Sequence, residues 1–377
     1  MKNMNESGKR TLTAFCFTDI HNQQAMLDYP TTLRSSFVAA CDLAVAEFGK
    51  ADLAINGGDN VSDYPDWTKS CALPKKNFLD LKAKLGAATA GVTKDGKALY
   101  VSGNNDMILG DIGTADNAPY NTTDFYDFMD ESLGVLRGSE KLVAHSSQKP
   151  GERYLNAFHY VIGGFDFIGI DVDPDSAFNT HDGIYTDETL RWVKAKMDEI
   201  DRTGYRPIFV VGHLSAGCYQ NKKYHETFDG NVPLFYEMFK GHRNAFYLYG
   251  HIHGESCCYK DYSSGAVIHL RNAEPLDINL ASLDNRGKEY DYTFVHMGGL
   301  RPFGDEYFLR DGLTGYGGKP EKEFYLKTGT PTLAQYLVFV ADEEKVTFYI
   351  RNTGSEPGYT PSDKPKPYVV YYQKPRG

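Results

Sequence analysis

The chain has no long basic run, no apolar run of membrane length and no paired-cysteine metal motif. Each absence excludes something. Its 40 Lys and Arg are outnumbered by 50 Asp and Glu, for a formal net charge of −10. Binding to nucleic acid by phosphate neutralisation is therefore not expected. An anionic substrate would need a local positive source, such as metal ions. The longest nearly apolar stretch, YVIGGFDFIGI at residues 160–170, is too short to span a bilayer. The leading MKNMNESGKR is polar, and the apolar run after it ends at Asp19. No signal peptide is visible, so a cytoplasmic location is expected; a secreted protein whose leader has been removed is the alternative. None of the six cysteines (Cys16, Cys41, Cys71, Cys218, Cys257, Cys258) sits in a CxxC pattern. Reduced thiols packed in a core are the expectation.

What is present suits a large folded domain. The 377 residues are 41% hydrophobic and 14% aromatic, enough for a substantial core. LTAFCF (12–17), DLAI (52–55), ALYV (98–101), PIFVV (207–211) and AFYLY (245–249) read as strands. Between them lie helical patterns: Leu33, Phe37, Cys41, Ala44, Val45 and Phe48 share one face. KKNFLDLKAKLG reads as a helix ending at Gly86, and TTDFYDFMDESLG as another. YLNAFHYVIGG and FDFIGIDV form a hairpin pattern turned at Gly163-Gly164. Thr186 is placed to cap a helix carrying Leu190, Val193, Met197 and Ile200. After about residue 260 the helical signals fade, and AVIHL, YTFVHM, AQYLVFVA, KVTFYIR and YVVYY read as strands. Residues 273–330 resist assignment. No internal repeat or low-complexity segment occurs. The expectation is a disordered 1–10 followed by a single α/β domain over 11–377, with two packed sheets and flanking helices.

Five segments share one design, an apolar strand, a sharp turn and metal-type side chains. They carry Asp19 and His21, Asp59 and Asn60, Asn104 with Asn105 and Asp106, His213, and His251 with His253. In open α/β sheets, sites form at the carboxyl ends of strands. Five such ends can bring together two carboxylates, an amide and four imidazoles, ligands that Mn, Fe or Zn accept. Each segment alone is weak evidence, since Gly-Gly-Asp-Asn is ordinary turn chemistry. Their ordered recurrence is not ordinary.

As an ordered set the motifs resemble the calcineurin-like metallophosphoesterase superfamily. They are Asp19-Ile20-His21, Gly58-Asp59, Gly103-Asn104-Asn105-Asp106, Gly212-His213 and Gly250-His251-Ile252-His253. The resemblance covers roughly residues 12–255, and 256–377 reads as a strand-rich completion. It implies a four-layer α/β/β/α sandwich, two mixed sheets between helices, with two divalent metal ions. By it, Asp19, His21, Asp59 and His253 hold one ion. Asp59 bridges to the second, which Asn104, His213 and His251 complete. Asp106 becomes an acid that supports the site or fixes its loop. The activity implied is hydrolysis of a small-molecule phosphoester, a diester favoured over a monoester, by a hydroxide bridging the ions. Oligomeric state stays open. A different two-metal hydrolase, such as an amidohydrolase, usually needs a Lys or Glu ligand and another motif order.

The chain departs from the family at Asn105, where the third motif usually has His. Asn donates a hydrogen bond but cannot act as a general acid near neutral pH. Three readings stay open: a preference for good leaving groups, substitution by another His, or a catalytically weak module that binds metal and phosphate. His225, His181 and His296 are the candidate substitutes, His225 foremost; His145, His159, His242 and His269 read as structural. Lys222 and Lys223 are available to an anionic substrate. Trp67, Phe178 and Tyr185 offer either stacking surfaces or loop anchors.

Overall fold

The strand Leu12–Phe17 (β1) turns Leu12, Ala14 and Cys16 to one side and Phe15 and Phe17 to the other, all of them buried. A strand apolar on both faces belongs between two other layers. The computed structural model describes residues 10–20, 35–60, 75–107, 140–145, 153–173, 175–176, 183–203, 206–214, 232–251, 267–271, 274–275, 292–300, 335–352 and 367–373.

Beside β1 lie β2 (Leu53–Asn56) and β3 (Ala98–Tyr100), both parallel to it. On its other edge come β12 (Gln335–Ala341), β13 (Lys345–Asn352) and β14 (Tyr368–Tyr371), each antiparallel to its neighbour. This six-stranded sheet runs β14-β13-β12-β1-β2-β3. The second sheet holds β4 (Glu140–His145), β5 (Arg153–Ile162), β6 (Phe165–Ile170), β7 (Ile208–Val211), β8 (Ala245–Tyr249), β9 (Val267–Arg271), β10 (Glu274–Pro275) and β11 (Tyr292–His296). Its order is β10-β9-β11-β8-β7-β6-β5-β4, with β6, β7, β8 and β11 mutually parallel. Both sheets are mixed, and the fold class is α/β.

The sheets face each other across an apolar layer. Phe209 of β7 stacks on Phe339 of β12 at 4.7 Å, and Phe246 of β8 meets Phe348 of β13 at 5.7 Å between ring centroids. The outer faces carry the helices. On the first sheet, Phe37 of α1 (Ser35–Phe48) packs on Phe17 at 4.8 Å, and Thr89 of α2 (Lys75–Val92) bonds the Tyr100 hydroxyl at 2.9 Å. On the second, α4 (Asp187–Thr203) buries Leu190, Val193, Met197 and Ile200, while Phe235 and Phe239 of α5 (Val232–Phe239) pack on Tyr247 and Phe294. The layers are therefore helix, sheet, sheet, helix. A short helix, α3 (Asn104–Met107), follows β3.

Local signals account for most boundaries. Gly163 and Gly164 have φ of 60° and 89°, the two positive values of a type I′ hairpin turn. The Thr189 N–H donates to the Thr186 hydroxyl at 3.2 Å, capping α4. The expected stop at Gly86 is wrong, because α2 continues to Val92. A glycine inside a helix costs only about 0.5–1 kcal/mol, and Thr89 and Val92 beyond it are buried against the core. The Thr93 hydroxyl then closes the last turn on the Thr89 carbonyl at 2.7 Å. Sequence reading did not find β4 or α5; α5 is short, nearly apolar all round and starts with Pro233 at its first turn. The helix expected over TTDFYDFMDESLG, and residues 1–9, lie outside the described residues. Cys16 and Cys41 are buried free thiols. No helix among the described residues is long and apolar enough to cross a membrane.

Candidate metal centre

Because β1, β2 and β3 run parallel, their carboxyl ends leave the first sheet on one side; β7 and β8 do the same in the second. Asp19 follows β1, Asp59 follows β2, Asn104 opens α3 after β3, His213 follows β7 and His251 follows β8. The chain turns sharply at these points. Asp19, Asp59 and His251 have φ of 53°, 53° and 72°, and they are the non-glycine residues with positive φ among those described. Such backbone costs about 1–3 kcal/mol per residue and collects at functional sites.

Backbone bonds join neighbouring turns within each sheet. The Asp19 N–H donates to the Gly58 carbonyl at 3.0 Å, and Gly250 N–H to the His213 carbonyl at 3.0 Å. Glycine is needed where segments touch. A Cβ on Gly58 would sit 2.7 Å from Gly103 Cα, and one on Gly103 would run into the Asp59 carboxylate.

The result is a tight donor cluster. One ligand atom each from Asp59, His213 and His251 lie within 4.8 Å of one another. His213 Nδ1–H donates to the Gly57 carbonyl at 2.7 Å. That leaves Nε2 facing inward, 3.2 Å from Asp59 Oδ2. His251 Nδ1 lies 3.1 Å from Asn104 Oδ1, and the two imidazoles meet edge to face at 5.2 Å. Asp19 Oδ2 accepts from the His251 backbone N–H at 3.0 Å and from the Thr18 hydroxyl at 2.8 Å. The four residues that the resemblance assigns to the second ion, Asp59, Asn104, His213 and His251, are thus brought together. Of the first ion's set, Asp19 and Asp59 are described; His21 and His253 lie outside the described residues.

Asp106 is 1% exposed and holds the loops rather than facing solvent. Its Oδ2 accepts from the backbone N–H groups of Asp59 at 2.8 Å and Gly103 at 3.0 Å, and its Oδ1 from Asn60 N–H at 2.9 Å. Burial, then the charge of Asp59, raises its pKa above the ordinary carboxylate value. For His213 burial works downward, but the Asp59 carboxylate outweighs it and lifts the imidazole to about 9 in the metal-free protein.

No protein-family model matches the chain, and neither does any curated relative. Solved structures do. One is PhoD, with a TM-score of 0.49 at 10% identity over 97% of this chain and 72% of that one. The calcineurin-like phosphoesterase YfkN from Bacillus subtilis gives 0.43 at 11% identity, covering 96% and 91%. GAP50, the anchor in the inner membrane complex of Plasmodium, gives 0.40 at 11% identity, covering 97% and 90%. The chemistry of the centre rests on its own residues.

Those residues fit divalent ions. His213 Nε2 is fully buried and makes no hydrogen bond among the described residues, although Asp59 Oδ2 is close by. A buried imidazole nitrogen this close to a buried carboxylate oxygen is placed as two ligands of a shared cation would be. Buried carboxylates at Asp19 and Asp59 also favour a cation nearby. Carboxylate, amide oxygen and imidazole together suit Mn, Fe or Zn.

The candidates for an acid fare differently. Asn105 lies in α3, but its side chain is outside the described residues, as are His225, His181, Lys222, Lys223, Trp67 and Phe178. His296 ends β11 fully buried, and burial lowers its pKa to about 4. It has no access to solvent, and burial disfavours the charged imidazolium that a general acid would need. His159 pairs with Asp166 at 2.9 Å, and His242 lies between Asp198 and Asp201, both as structural groups. Tyr185 is 1% exposed, so it is an anchor and not a stacking surface. Its hydroxyl accepts from the His213 N–H, a partner 28 residues away. No one-dimensional pattern carries that contact, and sequence reading missed it.

Proposed function

We propose that the protein is a metal-dependent phosphoester hydrolase with a two-ion centre, favouring phosphodiesters over monoesters. The observation that carries this reading is the convergence of Asp59, His213 and His251 donor atoms within 4.8 Å, with Asn104 beside them. Asp59, Asn104, His213 and His251 would hold one ion. Asp19, His21, Asp59 and His253 would hold the other, the two outer histidines being assigned on the motif order. When bound, such ions supply Lewis acidity to phosphate oxygens and lower the pKa of the attacking water.

The chain's own residues do the rest. Asp59 would be shared by the two ligand sets, and its backbone N–H is held by the carboxylate of Asp106. The Gly57 carbonyl holds the His213 Nδ1–H, so Nε2 is the nitrogen that would bind an ion once its proton has left. The Asn105 amide can orient a phosphate oxygen by donating a hydrogen bond. It cannot deliver a proton, which favours esters whose alcohol departs unaided. That property supports the diester preference.

The test is metal reconstitution with a substrate panel. After chelation and reloading with Mn²⁺, elemental analysis should give about two ions per chain, as in two-metal hydrolases. A bis-aryl phosphodiester should turn over faster than the matching monoester. Asn105 also favours a second reading, a catalytically weak module that binds metal and phosphate. Full metal loading with phosphate binding but no turnover of any ester would select it. Failure to bind any metal would remove both.

A further inference from the structure

Two buried phenols grip the turn that presents His213. Tyr185 precedes the cap of α4, and Tyr247 lies in the middle of β8; they are 1% and 0% exposed. The backbone N–H groups of His213 and Leu214 donate to the Tyr185 hydroxyl at 2.7 Å and 2.9 Å. The Tyr247 hydroxyl donates to the Leu214 carbonyl at 2.6 Å, and the two phenol oxygens are 3.0 Å apart.

The direction of every bond follows. A phenol has one proton to give. The Leu214 carbonyl only accepts, so Tyr247 spends its proton there. Between the phenols, therefore, Tyr185 is the donor. Tyr185 thus accepts twice and donates once, and a closed ring joins His213, Leu214 and both tyrosines. Two further features hold it. Gly212 lets the phenols reach the backbone, since a Cβ there would meet the Tyr185 hydroxyl and lie 3.0 Å from Tyr247 Cε2. Phe235 of α5 stacks against Tyr185 at 6.3 Å and meets Tyr247 edge-on at 5.1 Å.

We propose that Tyr185 and Tyr247 are positioning residues for the metal centre, locking the His213 turn so that its imidazole faces Asp59 before any ion arrives. The proposal rests on His213 being a ligand, as read above. The physical gain is preorganisation. The turn is ordered when the chain folds, so its ordering is not charged against ion binding. Groups that orient a ligand from behind typically change metal affinity by about 10–100-fold when removed.

The test uses Tyr185→Phe, Tyr247→Phe and His213→Ala in the full chain. Hydrogen exchange at the His213 and Leu214 amides is read in the metal-free protein, and Mn²⁺ affinity by calorimetry. Tyr185→Phe removes the acceptor of both amides, so both should exchange faster. Its Mn²⁺ affinity should fall by about 10–100-fold. Tyr247→Phe leaves that acceptor in place and should fall by about tenfold. The visible spectrum of the Co²⁺-loaded protein should shift in both, which a distant packing change would not cause. Unchanged affinity and spectrum in Tyr185→Phe, while His213→Ala loses metal, would overturn the proposal. Wild-type affinity in His213→Ala would instead sink the ligand reading beneath it. If Tyr185→Phe does not fold, Tyr247→Phe decides, and wild-type affinity there refutes the positioning role.

Discussion

His213 Nε2 and Asp59 Oδ2 lie 3.2 Å apart in the core of the centre. Both groups are fully buried, and the carboxylate raises the imidazole from 6.5 to about 9 against the opposing effect of burial. Without metal, His213 is therefore protonated at neutral pH. An ion must displace that proton, so affinity should rise with pH up to about 9. Metal binding at pH 7 measured in buffers of different ionisation enthalpy should reveal a released proton. No proton release would contradict the pairing.

The same shift makes metal-free stability depend on pH. A folded-state pKa raised above 6.5 to about 9 stabilises fully below 6.5, and that contribution is lost as pH rises through 9. Asp106 is also raised, from 3.8, so its contribution is likewise lost with rising pH. The urea midpoint in chelator should fall between pH 6.5 and 9, and added Mn²⁺ should flatten the curve. A midpoint that climbs over this range in chelator would show the sign to be wrong.

Gly103→Ala should damage the centre from behind. The new Cβ would run into the Asp59 carboxylate. Overpacking of this kind costs about 1–3 kcal/mol. Denaturant unfolding should report that loss, and Mn²⁺ stoichiometry should fall with it. Full loading at wild-type affinity would mean that Asp59 can move without consequence.

Asp106→Asn separates a loop-holding acid from a proton donor. The two carboxylate oxygens accept three backbone N–H groups from Asp59, Asn60 and Gly103. An amide nitrogen in one of those places leaves at least one N–H unpaired, at about 1–3 kcal/mol. Stability and metal affinity should drop together, while the shape of the pH–rate profile stays as in wild type. Loss of one limb of that profile would make Asp106 a participant in proton transfer.

Asn105→His tests the origin of substrate preference. If the wild type lacks a general acid at this point, its rate should depend steeply on the acidity of the leaving alcohol. Restoring the imidazole should accelerate alkyl esters, by up to about 10²–10⁴-fold, and activated aryl esters much less. Equal effects on both classes would mean that the proton comes from elsewhere, with His225 the first candidate.

Much of this protein is written locally. Each of β1, β2, β3, β7 and β8 is an apolar run stopped by a turn, and the ligand-type residue sits just past the stop. Alternation and turn chemistry act over a few residues, so they survive in one dimension. Only tertiary structure decided which strand ends share an edge, since parallel pairing joins segments far apart in the chain. It set Gly103 against Asp59, and it put the Asp106 carboxylate under the backbone of residues 46 and 47 positions away. It enclosed His296, which looked available as an acid, and it carried α2 past Gly86 because the core rewarded Val92. It also brought Tyr185 to the His213 turn. These contacts depend on the distance between layers and on space that only a missing Cβ leaves open, quantities that exist once the sheets have packed.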